Sequence, residues 1–260
     1  KFSAAVEALA VGANPIGTEG GHILTEAIKS SSLKTIDIGK PLPLQGKYES
    51  DTADLADSDM GPGQVVLLAW WLTTDVAAGV TRLTLDSNGI FGEIWDDGDV
   101  KEVDKFVADC DAFLAALKDS NIVTLSLQKT GIGPLTLRKL ATSLPAALNS
   151  LRCGKNPGMV GEVDPYGRLT KPDAHAEVFK QLIDSLKTSQ VTEVDFSSCG
   201  IGAVALGHLS DWVRDATAAV EALAIGANPI GTEGGNILTE AIKSSSLKTI
   251  DIGKPLPLQG

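Results

Sequence analysis

The chain repeats itself. Residues 3–46 return as 217–260, and only Ser3/Thr217, Val11/Ile225 and His22/Asn236 differ between the two stretches. Inside the block that separates them a shorter pattern recurs: an apolar residue, then two more three and five positions on. It begins at Val6, Leu33, Val80, Ile122, Leu148, Val191, Val220 and Leu247. Self-similarity at roughly 20 to 50 residues marks a solenoid, because one such unit cannot bury its apolar face alone and must stack on its neighbours. Residues 1–260 therefore read as a single array of about eight repeats. The duplicated ends predict that the array is part of a longer tandem.

Each triple also alternates apolar with polar residues, as in Leu83-x-Leu85 and Leu125-x-Leu127. Period-2 alternation puts the apolar side chains on one face of a short strand. An asparagine follows at the ninth position of the best copies, Asn14 and Asn88, where its amide can bond turn backbone that would otherwise be buried unpaired. Thr130, Cys199 and Pro41 stand there in other copies, which predicts less regular turns.

Beyond the strand the period lengthens. Val103, Phe106, Val107, Cys110, Leu114 and Leu117 form one apolar face of a helix, as do Ile23, Leu24, Ala27 and Ile28, with Thr18 or Thr232 as the expected N-cap. Strand and helix alternating in one sense predict an α/β chain with a parallel sheet. Three units are long: 41–62, 91–102 and 157–173 add Pro-, Gly- and acid-rich material between strand and helix. Insertions of this kind map to loops on one face, often the binding face.

The L-x-x-L-x-L-x-x-N-x-I-G pattern, with N-P-I-G-T-E-G leading into a full helix, resembles the leucine-rich repeat family. It is most similar to the ribonuclease-inhibitor-like class, also seen in NOD-like receptors and RanGAP proteins. The resemblance spans nearly the whole chain and implies a horseshoe solenoid with the parallel sheet inside and helices outside. That scaffold serves unrelated partners, so it says little about function. The RanGAP likeness implies GTPase activation as an alternative, but no residue here matches that family's functional positions.

Bulk properties narrow the partners. A formal charge of -11 argues against a nucleic-acid backbone, which calls for clustered Lys and Arg. The longest apolar run, 65–72, is far short of the roughly 20 residues of a membrane span. Cys110, Cys153 and Cys199 are widely spaced and do not read as a disulfide framework, so a reducing, cytoplasmic setting is expected. Open first and last strands predict end-to-end self-association.

No residue set compels a reaction, and no catalytic residue, metal or cofactor is expected. Glu93, Asp96, Asp97, Asp99, Glu102 and Asp104 offer oxygen ligands to a hard cation but lack the spacing of an EF-hand loop. They read as a solvated acidic loop, and a cation-dependent adhesion module is a further alternative. Gly131-Ile132-Gly133 and Gly200-Ile201-Gly202 sit at repeat turns and lack the third glycine of a phosphate loop. Trp70 and Trp71 are adjacent on an expected helix, so one of them must turn from the core. Trp71 is a candidate contact residue. Tyr48, Trp95 and Tyr166 lie within the insertions and are candidates with the acids Asp96, Asp97 and Asp99. The expectation is a non-enzymatic scaffold that binds protein through acidic and aromatic insertion loops, or, failing that, a spacer.

Overall fold

The computed structural model describes residues 6–95 and 99–258. It is an α/β chain whose strands follow one another across the sheet in sequence order. β1 (Ala8–Ala10) leads into α1 (Gly17–Lys29) and pairs in parallel with β2 (Thr35–Asp37), which turns back into antiparallel β3 (Pro41–Pro43). A second sheet starts at β4 (Thr52–Asp54), followed by α2 (Pro62–Leu72), and β5 (Arg82–Thr84). After β5 come the hairpin β6 (Glu93–Ile94) and β7 (Val100–Glu102), then α3 (Asp111–Lys118). β8 (Thr124–Ser126), α4 (Pro134–Leu140) and β9 (Ser150–Arg152) continue the ladder. A second hairpin, β10 (Glu162–Val163) and β11 (Leu169–Lys171), precedes α5 (Ala176–Lys187). β12 (Glu193–Asp195), α6 (Ala203–Asp215), β13 (Ala222–Ala224), α7 (Gly231–Lys243), β14 (Thr249–Asp251) and β15 (Pro255–Pro257) complete it. Every pairing in the eight-stranded sheet is parallel except the terminal β14–β15 hairpin.

The middle residues of the parallel strands β4 to β14, such as Leu83, Leu125, Leu151 and Val194, point into one continuous apolar core shared with the helices. Asparagines tie neighbouring units together. Asn156 Oδ1 accepts the N–H groups of Thr130, Gly131 and Ile132, while its Nδ2 donates to the carbonyls of Leu127 and Cys153. Asn88 and Asn228 do the same for the turns at Ser58–Met60 and Cys199–Ile201. Thus the turn that carries Thr130 or Cys199 is held from the next unit, which is why losing its own asparagine leaves it ordered.

Several local expectations are corrected. The stretch 41–62 is not one insertion: it contains β3 and a full parallel strand, β4. The sheets break between β3 and β4 for a simple reason. Leu44 N–H donates to Lys34 O and Ile38 N–H to Lys40 O, so the intervening Pro41 and Pro43 occupy the outward positions of β3, where proline has no N–H to offer a further strand. Thr18 lies within α1 rather than before it, and its hydroxyl donates to Asp109 Oδ1 at 2.7 Å. Ile23, placed on the buried face by its spacing, is exposed. The helix expected from Val103 begins only at Asp111, after a 3-10 turn over Val107–Cys110.

No described helix is long and apolar enough to cross a membrane.

Candidate functional site

The two hairpins carry the site. They leave the ladder at equivalent places, after β5 and after β9, and come to lie side by side. Gly167, at φ +75°, turns the second hairpin so closely past the first that a Cβ there would stand 2.2 Å from Val100 O. Only glycine tolerates both that conformation and that contact.

Between the hairpins and the strand ends is a pocket of about 890 Å³. Trp95 and Asp99 of the first hairpin and Tyr166 and Arg168 of the second form its walls; Lys129 and Lys155 rise from its floor. These two lysines occupy the same turn position in successive units, at φ +56° and +60°, each with its N–H bonded to the next turn. Lys129 stands 3.9 Å from Asp99. Lys155 and Arg168 form no ion pair among the described residues. Cations also flank the aromatics: Lys101 lies over the Trp95 ring at 4.6 Å and Arg168 over Tyr166 at 5.8 Å. A chain of net charge -11 thus concentrates positive charge at this pocket.

Glu93 and Asp104, at the two ends of the acidic stretch, are engaged away from the pocket. Glu93 pairs with Lys101 at 2.7 Å and with Lys105, and these two ammonium groups lower its pKa below the usual carboxylate value. Asp104 accepts the N–H groups of Gly133, Leu135 and Thr136 at the start of α4. Asp173, at the same point of the second hairpin unit, accepts those of Gly202, Val204 and Ala205 at the start of α6. Both take φ near +57° to +59° to do so. Sequence reasoning missed these inter-unit caps. Their signal was present, since each Asp follows its hairpin at the same interval and faces a Gly-Ile-Gly turn in the next unit. In the first turn all three N–H groups are accepted by Asn156 and Asp104; in the second, those of Ile201 and Gly202 are accepted by Asn228 and Asp173.

Of the candidates named from sequence, Trp95 and Tyr166 are brought to one pocket, 42% and 70% exposed, and Asp99 joins them. Asp96 and Asp97 lie outside the described residues. Trp71 is fully buried, and its neighbour Trp70 is the partly exposed member of the pair. Trp71 packs edge-on against Tyr48, with ring centroids 5.3 Å apart, so Tyr48 too belongs to the wall of the core. Lys129, Lys155 and Arg168 were not anticipated; cations from two successive units become neighbours only in the tertiary structure. Among the described residues no group of three or more His, Cys, Asp or Glu converges as a metal-binding set.

No protein-family model matches the chain, and no curated protein is significantly similar to it.

Proposed function

We propose that this chain is a leucine-rich-repeat solenoid acting as a non-enzymatic scaffold, and that it binds an acidic segment of a partner protein in the pocket between its two hairpins. The parallel strands in chain order, their middle residues from Ala53 to Ile250 buried and neighbouring turns joined by asparagines, support the solenoid reading.

One observation carries the binding reading: Lys129, Lys155 and Arg168 converge beside the exposed rings of Trp95 and Tyr166. Cations next to exposed aromatic rings match a carboxylate-bearing, partly apolar peptide better than a neutral or basic one. The pocket's openness to solvent and its polar floor suit an extended chain rather than an enclosed small molecule.

Calorimetry with a Glu/Asp-rich peptide containing one aromatic, against a Lys-rich peptide of equal length, tests the reading. The acidic peptide should bind with an affinity that falls as salt rises. The double change Lys155→Glu, Arg168→Glu should abolish binding without moving the melting temperature. Equal binding of both peptides, or unchanged binding by the variant, would overturn it.

A further inference from the structure

The floor of the pocket continues the strand ladder. β8, β9 and β12 are parallel neighbours in register, with Ser126 opposite Arg152 and Arg152 opposite Asp195. Three residues beyond each of these strand ends the backbone turns left-handed, at Lys129, Lys155 and Ser198, with φ +56°, +60° and +54°. The N–H of Lys129 donates to Gly154 O at 3.1 Å and that of Lys155 to Ser197 O at 2.7 Å, so the pairing of the strands is carried through the turns. Successive members of this row are therefore rooted about one strand spacing apart, roughly 4.8 Å. All three line the pocket. Two ammonium groups and a hydroxyl at that spacing can share one tetrahedral anion with several acceptor oxygens, where a planar carboxylate offers only two.

Charge narrows the anion further. Arg168 adds a third cation from the wall, and among the described residues lining the pocket Asp99 is the one carboxylate. Three cations against one acid leave two positive charges in excess. A glutamate or aspartate of a partner balances one of them. A phosphate monoester, with a charge of about -1.5 to -2 near neutral pH, balances both.

The walls ask for a ring. Trp95 and Tyr166 come from different hairpins, and both expose their aromatic faces at the pocket. The volume of about 890 Å³ leaves room for a ring between them. Offset or edge-to-face contact with a third aromatic is worth about 0.5–1.5 kcal/mol beyond the area it buries. A side chain that carries its anion at the far end of a ring would meet walls and floor together.

We propose that the segment bound in this pocket carries a phosphorylated tyrosine. The proposal rests on the reading of the pocket as a site for an acidic peptide and names the side chain it takes. The phenyl ring lies between Trp95 and Tyr166, and the phosphoryl oxygens accept hydrogen bonds from Lys129, Lys155, Arg168 and the Ser198 hydroxyl. Asp99, 3.9 Å from Lys129, keeps that ammonium group partly engaged, so Lys155 and Arg168 carry most of the preference for a dianion.

Four versions of one peptide, with phosphotyrosine, sulfotyrosine, glutamate or phosphoserine at a single position, test this by calorimetry at pH 7.5. Sulfotyrosine keeps the ring and the tetrahedral head but bears one charge; phosphoserine keeps the charge and drops the ring. Phosphotyrosine should bind about tenfold or more tighter than each of the others, the worth of a further charge-assisted hydrogen bond or of the ring contact. Lys155→Asn, a residue that adopts the left-handed turn readily, should erase most of the advantage over sulfotyrosine without moving the melting temperature. Sulfotyrosine or glutamate binding as tightly as phosphotyrosine would overturn the proposal and leave the acidic-peptide reading standing. Phosphoserine binding as tightly would overturn the part assigned to the rings, and failure of all four peptides would overturn both readings.

Discussion

Trp71 donates its indole N–H to the carbonyl oxygen of Pro43, 2.8 Å away, across the gap between the two sheets. That carbonyl faces outward from β3, where the flanking prolines forbid a further ladder, and the tryptophan supplies the missing donor from the helix layer. Two sheets that do not hydrogen-bond are thereby joined through a side chain.

Trp71→Phe should therefore keep most of the apolar burial and lose the donor, leaving Pro43 O unpaired. A loss of about 2 kcal/mol is expected for a buried acceptor stripped of its partner. Urea denaturation would show it as a lower midpoint with unchanged slope.

Asp104→Ala and Asp173→Ala each release three N–H groups at the start of a helix in the following unit. Each should destabilise the chain by about 1–2 kcal/mol, the usual worth of an N-cap. The two sites share no partner, so the double variant should show the sum of the two losses by thermal denaturation.

Asn156 is fully buried and serves six backbone groups in two units. Asn156→Ala leaves the N–H groups of Thr130, Gly131 and Ile132 without an acceptor and should cost about 3 kcal/mol or more, beyond either aspartate variant. Equal losses for Asn156→Ala and Asp173→Ala in the same titration would contradict this ranking.

Cys110, Cys153 and Cys199 are free thiols, all buried. Burial raises the pKa of each, that of Cys110 to about 12, because removal from water penalises the thiolate. In the native protein a thiol-specific reagent at pH 8 should find all three silent, and denaturant should release them. A group whose pKa is raised by folding holds its proton longer in the native state. Stability is therefore full below the free-thiol value of 9.0 and declines as pH rises from there towards about 12. For each thiol the slope is about 1.4 kcal/mol per pH unit in that window, measurable by denaturation at pH 8, 9 and 10.

Much of the framework was legible in the residues themselves. A strand of the parallel ladder lies two residues past every predicted repeat start, as Arg82 does after Val80 and Thr124 after Ile122. Alternation of two and periodicity near 3.6 are local consequences of backbone geometry, so they survive in one dimension. The strand β4 escaped notice because Thr52-Ala53-Asp54 has no bulky apolar residue to mark it. Of the aromatics singled out in the insertions, Trp95 and Tyr166 are exposed at the pocket, whereas Tyr48 packs on Trp71 at the wall of the core.

The sequence by itself determined the α/β class, the period of the ladder and the equivalence of residues 3–46 with 217–260. Tertiary structure alone decided that Leu42 is buried and Leu256 exposed, that Trp71 turns inward, and that Lys129, Lys155 and Arg168 share a pocket. The physical reason is the same in each case. Burial and local charge belong to the surroundings of a side chain, and here those surroundings come from neighbouring strands and helices, tens of residues away along the chain.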